Sequence, residues 1–284
     1  MTDLAWANAT FRDCRTDTIT PMESAEGTLD TERNNGVATV TIRHTAKRNA
    51  MTPAMWRQLP VVLGALAADT SVRVLLLTGA DGTFCAGADI STLRTATDGT
   101  PPRDAPDAPD AQGLAVAAEE ALAAFPKPTL AVVRGHCVGG GCQLAAACDL
   151  RFAAEDALFG VTPAKLGVVY PATSTERLVR LVGPSTAKYL LFSAELIGSE
   201  RALRCGLADE VHPGGELDRQ VADFAAVLAS RSQLTQAAAK EFADGRGDEA
   251  RVAHWRRESA AGGDLAEGVG AFLERRPPRF AWSL

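Results

Sequence analysis

Apolar positions along this chain recur at two periods. From Gly36 to Ile42 they alternate with polar ones, the mark of a half-buried strand. Pro53 suits the first turn of a helix reaching about Ala68, where apolar residues fall at helical spacing. Two uninterrupted apolar runs, Val72 to Thr78 and Thr129 to Val133, predict buried strands, with a helix from about Gly113 to Phe125 between them. Strands alternating with helices predict an α/β fold with parallel strands and right-handed crossovers. Asp149 to Ala154 reads as a further short strand. Leu158 to Pro171 is rich in turn residues and is expected to line a pocket floor. Beyond Ser174 the pattern is almost wholly helical, broken at Gly183 and near Gly198 and Gly206, with long helices after Leu217, Gln233 and Arg251.

Two stretches fit neither period. Residues 1–35 are polar and mixed in charge, and read as a flexible or loosely docked tail. Residues 95–112 carry prolines too densely for a helix or a central strand, so a loop is expected, equally a substrate lid or a solvated insertion.

Composition narrows the function classes. With 46% hydrophobic and 23% charged residues, 284 residues can bury a full core. A net charge of −6 gives no reason to expect nucleic acid or a membrane surface as partner. No apolar run approaches the roughly 20 residues of a spanning helix, and Met1-Thr2-Asp3-Leu4 lacks the start of a signal peptide. A cytoplasmic protein is expected. The six cysteines lie mostly in apolar settings, Cys137, Cys142 and Cys148 among them, and read as reduced core residues. No cysteine or histidine has zinc-site spacing, so a metal is not expected; no redox cofactor is expected either.

The candidate chemistry lies between Arg134 and Asp149, R-G-H-C-V-G-G-G-C-Q-L-A-A-A-C-D. A strand runs into Gly139, Gly140 and Gly141 and then into a helix of small residues. Such a junction lets backbone approach a ligand and aims unpaired first-turn amides at an anion, or else it serves tight helix–sheet packing. Upstream stands Phe84-Cys85-Ala86-Gly87-Ala88-Asp89-Ile90. The two motifs together resemble the crotonase (enoyl-CoA hydratase/isomerase) superfamily. So do K-R-N-A-M at Lys47 to Met51, L-V-G-P-S-T-A-K-Y-L-L-F-S at Leu181 to Ser193 and E-R-A-L-R-C-G-L-A-D-E-V at Glu200 to Val211.

The resemblance implies a ClpP-like spiral of ββα repeats over residues 36–212, followed by a C-terminal helical region, 213–284, that packs against neighbours in a trimer or dimer of trimers. It implies an acyl-CoA substrate, with coenzyme A (or a carrier protein's phosphopantetheine) as part of the thioester. The amides of Ala88 and Gly140 would hold the thioester oxygen as it becomes an enolate. Ala86, Asp89 and Ile90 would line the nucleotide, with Lys47 and Arg48 near its phosphates, and Phe272 and Arg275 would be lent by a neighbouring subunit.

Two departures bear on the reaction. Hydratases of the family carry a glutamate after the glycines and a second in F-G-x-P-E-x-x-L-G. Here these positions hold Gln143 and Pro163. An amide delivers no proton at neutral pH and proline has no functional group. The segment T-P-A-K-L-G-V-V-Y is similar to that of methylmalonyl-CoA decarboxylases, whose tyrosine contacts the substrate carboxylate, and Tyr170 occupies that position. Loss of CO2 makes an enolate without a base, so decarboxylation of a malonyl-type thioester is the expected reaction. The alternatives are a hydratase or isomerase with a relocated acid/base, for which Glu120, Glu176, Glu195 and His136 are candidates, and a non-catalytic acyl-CoA-binding protein.

Overall fold

A computed structural model describes residues 27–93 and 111–283; the tail before residue 27 and most of the proline-rich stretch lie outside the described residues. Nine strands are described: β1 Thr28–Asn34, β2 Val37–Arg43, β3 Val74–Gly79, β4 Thr129–Val133, β5 His136–Val138, β6 Leu150–Ala154, β7 Leu158–Gly160, β8 Ile197–Gly198 and β9 Glu210–His212. Six of them form one sheet in the order β1-β2-β3-β4-β6-β9, parallel except for the β1–β2 hairpin. The hairpin corrects the expected tail. Asn35 and Gly36 both have positive φ, 49° and 82°, as a primed two-residue turn requires, and this turn supplies β1 with its partner. Of the seven residues in β1 only Leu29 is buried, so its apolar pattern was too thin to announce a strand.

The central strand β4 is buried at all five positions because helices cover both faces of the sheet. Ala131 and Val133 join the main core with helices α1, Pro53–Ala68, and α2, Ala111–Ala123. Leu130 and Val132 face the other way, onto Phe152 and onto Leu217 and Val221 of helix α7, Leu217–Ser230.

The remaining strands form a small sheet, β5-β7-β8. After β4 the chain makes β5 and then helix α3, Gly140–Ala147. After β6 it makes β7 and then the single-turn α4, Pro163–Leu166. Each circuit places one strand in the large sheet, one in the small sheet and a helix between them, which is the expected ββα spiral. β5 and β7 are three residues each and paired to one another across the spiral; strands so short carry no readable period. Two single bridges, Cys85–Cys137 and Met51–Ala88, prolong the inner layer toward the glycines. Helix α5, Ala172–Ser193, breaks at Gly183 (φ 73°) ahead of Pro184. Then come α6, Ser199–Cys205, and after α7 the helices α8, Gln233–Ala243, α9, Glu249–Ala261, and α10, Asp264–Glu274.

One buried side chain ties the β2–α1 loop to the turn after β3. Asn49 is fully buried at φ 57°, accepts a hydrogen bond from the His44 amide at 2.9 Å, and donates to the carbonyls of Ala80 (2.8 Å) and Thr83 (2.6 Å). Removing it orphans buried backbone groups, each costing about 1–3 kcal/mol. Asn49→Ala is expected to lower unfolding stability by roughly 2–4 kcal/mol in a urea titration; a loss below about 1 kcal/mol would show that the loop is held by other means.

Candidate active site

The bridge between Met51 and Ala88 decides where the Ala88 amide points. Met51 donates to the Gly87 carbonyl (2.7 Å) and accepts from the Asp89 amide (2.9 Å). In a parallel pairing of this kind the residue between those two bonds turns its own N–H to the opposite side. Ala88 is exposed there, and its amide has no acceptor among the described residues. The Gly140 amide is unpaired for a different reason: it opens α3, where first-turn N–H groups have no intrahelical partner.

Glycines bring these two amides to one place. Gly87 has φ 100°, and a methyl on it would sit 3.2 Å from the Gly140 nitrogen and 2.9 Å from the Val138 carbonyl oxygen. A methyl on Gly140 would lie 3.8 Å from the Ala88 nitrogen but only 3.1 Å from the buried Trp56 ring. A methyl on Gly141 would meet the Cys85 carbonyl oxygen at 2.3 Å, so only glycine allows α3 to lie against that backbone. The helix dipole adds to the preference for negative charge at this end.

Gln143 lies one turn along α3 from Gly140, on the same helix face. It is 2% exposed, and neither its Oε1 nor its Nε2 has a partner among the described residues. Pro163, at the second expected glutamate position, is buried as the first residue of α4 and contributes no polar group. Tyr170 stands just before α5, half-buried, with its hydroxyl unpaired among the described residues. A methyl on Gly139 would sit 3.5 Å from Tyr170 Oη and 4.0 Å from Thr162 Oγ1. Burial raises the Tyr170 pKa well above an ordinary phenol, and the Cys142 and Glu119 charges act in the same direction. Tyr170 therefore stays a neutral donor.

Glu119 is a buried acid that the sequence reading did not single out. It lies on α2, 4% exposed, and accepts a hydrogen bond from Ser174 Oγ on α5, with Arg177 Nη1 3.5 Å away. Burial pushes its pKa up to about 7, against the Ser174 and Arg177 contributions that lower it. Its neighbour Glu120, a candidate from sequence, is exposed and paired with Arg177 at 2.7 Å. The period of α2 could have singled out position 119, since it shares the buried face of Ala118 and Leu122. Glu176 and Glu195 are exposed surface charges, Glu195 beside Lys165 at 3.6 Å, and His136 is half-buried in β5.

The residues expected along the nucleotide are brought together in part. The Ala86 amide donates to the Arg48 carbonyl at 3.0 Å, and Lys47 Nζ reaches Asp89 at 2.7 Å and Ser91 Oγ at 2.7 Å. Burial alone would raise the Asp89 pKa, but Lys47 and Ser91 more than offset it and hold the carboxyl below its ordinary value. Lys47 thus braces the loop that carries Ala88. Arg48 and Ile90 are exposed beside it. Phe272 and Arg275 lie exposed on and just after α10, Phe272 at 82%. Among the described residues no cluster of three or more His, Cys, Asp or Glu could hold a metal ion, and no helix is long and apolar enough to cross a membrane. The cysteines described are all free, and burial raises the Cys85 and Cys148 thiols to about 12.

The family model described as Enoyl-CoA hydratase/isomerase matches residues 32–282. The chain is 34% identical to the 2,3-dehydroadipyl-CoA hydratase of Escherichia coli, over 89% of this chain and 98% of that protein. It is 34% identical to the crotonyl-CoA hydratase of Syntrophomonas wolfei, over 88% and 96%. Among solved structures, an enoyl-CoA hydratase/isomerase family member superposes with a TM-score of 0.82 at 36% identity, covering 91% of this chain and 98% of that one. Enoyl-CoA hydratase from Bacillus anthracis gives 0.78 at 28% identity, covering 90% and 98%.

These relatives overturn the expectation of decarboxylation. They are named as hydratases or as hydratase/isomerase family members, none as a decarboxylase. A buried carboxyl elsewhere, Glu119, also lies near enough to Tyr170 to help raise its pKa.

The raised Glu119 pKa has a consequence for stability. Between about pH 4.5 and 7 the folded protein keeps a proton that the unfolded chain releases, so stability falls as pH rises through this window and then levels off. Glu119→Gln abolishes that dependence while retaining an acceptor for Ser174. Relative to the parent, it is expected to gain on the order of 1–3 kcal/mol between pH 5 and pH 8 in denaturant unfolding. A difference independent of pH would mean that Glu119 is ionised throughout.

Proposed function

The chain belongs to the enoyl-CoA hydratase/isomerase family, and from that premise we propose that it binds an unsaturated acyl-CoA thioester and performs hydratase or isomerase chemistry through an enolate. The observation that carries this reading is the pair of unpaired amides of Ala88 and Gly140, gathered by glycines at the start of α3. Negative charge moving onto the thioester oxygen meets two fixed donors that need no reorganisation, worth about 2.7–4 kcal/mol for each donor in comparable sites. Tyr170 and Gln143 line the acyl side, as neutral donors that orient the substrate or a water. On the other side Ala86, Asp89 and Ile90 follow the nucleotide, with Arg48 and the outer flank of Lys47 toward its phosphates.

In this reading the ββα core, with the β1–β2 hairpin at its edge, runs to about residue 212, and beyond α7, which covers the sheet, the C-terminal helices pack against neighbouring copies in a trimer or dimer of trimers. The run of exposed apolar residues Leu265, Val269, Phe272 and Leu273 along α10 supports it, and Phe272 and Arg275 would be lent to the neighbour's coenzyme A. A cytoplasmic location, and coenzyme A rather than a carrier protein as the acyl carrier, belong to the same proposal.

Ala88→Pro tests the oxyanion site, since it deletes one donor that the Met51 bridge does not use. Turnover of crotonyl-CoA and 3-hexenoyl-CoA is expected to fall roughly 10²–10³-fold in kcat, with hexanoyl-CoA affinity and melting temperature close to the parent's. Unchanged kcat in a folded variant would remove Ala88 from the site.

A further inference from the structure

The family's two usual glutamate positions are filled by a buried amide and a proline, yet an enolate must gain or lose a proton somewhere. One carboxyl is buried close by, on a helix that no family motif marks. Helix α2 packs against α1, which carries Trp56 beneath Gly140, and against α3, which carries Gly140 and Gln143. From it Glu119 projects toward the start of α5, where Ser174 donates to its Oε2 and Arg177 approaches the same oxygen. The segment between α4 and α5 is tied to α2 a second time, through Gln112 Nε2 and the Val169 carbonyl at 2.7 Å. Tyr170 follows directly on Val169, and its hydroxyl stands 3.5 Å from where a Gly139 side chain would begin. The tyrosine hydroxyl thus stands beside the glycine turn, and the carboxyl is near enough to that tyrosine to act on its charge.

We propose that Glu119 is the proton-carrying group of this site and that the substrate it serves is a 3-enoyl thioester, isomerised to the conjugated 2-enoyl form. This rests on the enolate reading above and deepens it. In the ionised form Glu119 takes the α-proton. The C–H electrons form the Cα–C1 double bond as the carbonyl π pair moves onto the thioester oxygen, held by Ala88 and Gly140. The neutral Glu119 then returns the same proton to the γ-carbon. The β,γ double bond shifts to α,β and the oxygen's electrons re-form the carbonyl, leaving Glu119 ionised again. No atom enters or leaves, so one carboxyl suffices. Hydration would additionally need a water, activated and held while its proton is handled, and neither Gln143 nor Pro163 can exchange a proton. Titration near neutrality suits a group that must take and give a proton in one cycle. Ser174 and Arg177 are positioning residues: they fix the carboxyl and hold its pKa below what burial alone would set.

The full chain is assayed with 3-hexenoyl-CoA and crotonyl-CoA, alongside Glu119→Gln, Glu119→Asp and Ser174→Ala, with hexanoyl-CoA affinity and melting curves as folding controls. The expected result is conversion of 3-hexenoyl-CoA by the parent, with kcat/KM rising through neutral pH. Glu119→Gln should lower kcat by roughly 10²–10⁴-fold with hexanoyl-CoA affinity retained. Glu119→Asp should restore part of the rate, and Ser174→Ala should move the pH inflexion upward. A parent that isomerises while folded Glu119→Gln keeps its rate overturns the role of Glu119 and leaves the enolate reading standing. A parent that hydrates crotonyl-CoA without isomerising overturns the substrate assignment alone. A parent that turns over neither thioester overturns both readings.

Discussion

The proposed chemistry depends on two peptide N–H groups, those of Ala88 and Gly140, being left without partners at one point. Backbone donors are nearly always satisfied in folded proteins, so an unpaired pair must be enforced by its surroundings. One amide is freed because it starts a helix, the other because a single bridge uses the residues on either side of it. The enforcement is steric as well as electrostatic. Gly87, Gly140 and Gly141 remove the side chains that would separate the two segments, and Trp56 and the Cys85 carbonyl close the space behind them.

Around this point polar groups are treated in two ways. Beside Ala88, Asp89 is buried but compensated, with Lys47 and Ser91 holding it ionised and stiffening the loop. Glu119, on α2, is compensated only in part and its pKa is pushed up to about 7; Tyr170 is kept protonated, and Gln143 has no partner among the described residues. The first arrangement suits holding a shape. The second leaves groups with hydrogen-bonding capacity to spare, which costs stability and is the usual signature of a site built for a ligand.

Much of the scaffold was legible in the chain. The buried strands β3 and β4, the helix from Pro53, the breaks at Gly183 and Gly206 and the glycine junction at Gly139 all follow from apolar period and turn chemistry. The strands that escaped were β1, with a single buried residue, and the three-residue β5 and β7, whose pairing lies across the spiral. The site was legible where it is made of backbone and glycine. It was illegible where it is made of a side chain from a distant helix. The period of α2 sets Glu119 on the face of Ala118 and Leu122 and Glu120 off it, but it does not say what Glu119 meets there: Ser174 of α5, while Glu120 lies at the surface on Arg177.

The sequence by itself determined the buried strands, the helix from Pro53 and the glycine junction, because these rest on local constraints of apolar spacing and glycine conformation, and its motifs carried the resemblance that implied the family, the ββα order and the two amides. It also showed which acids were missing. Only the tertiary structure decided which acid was present, since that depends on how α2 meets the first turn of α5, some 55 residues further along the chain. Burial is a property of the assembled fold, and the same assembly that hides this carboxyl from water moves its proton affinity into the neutral range.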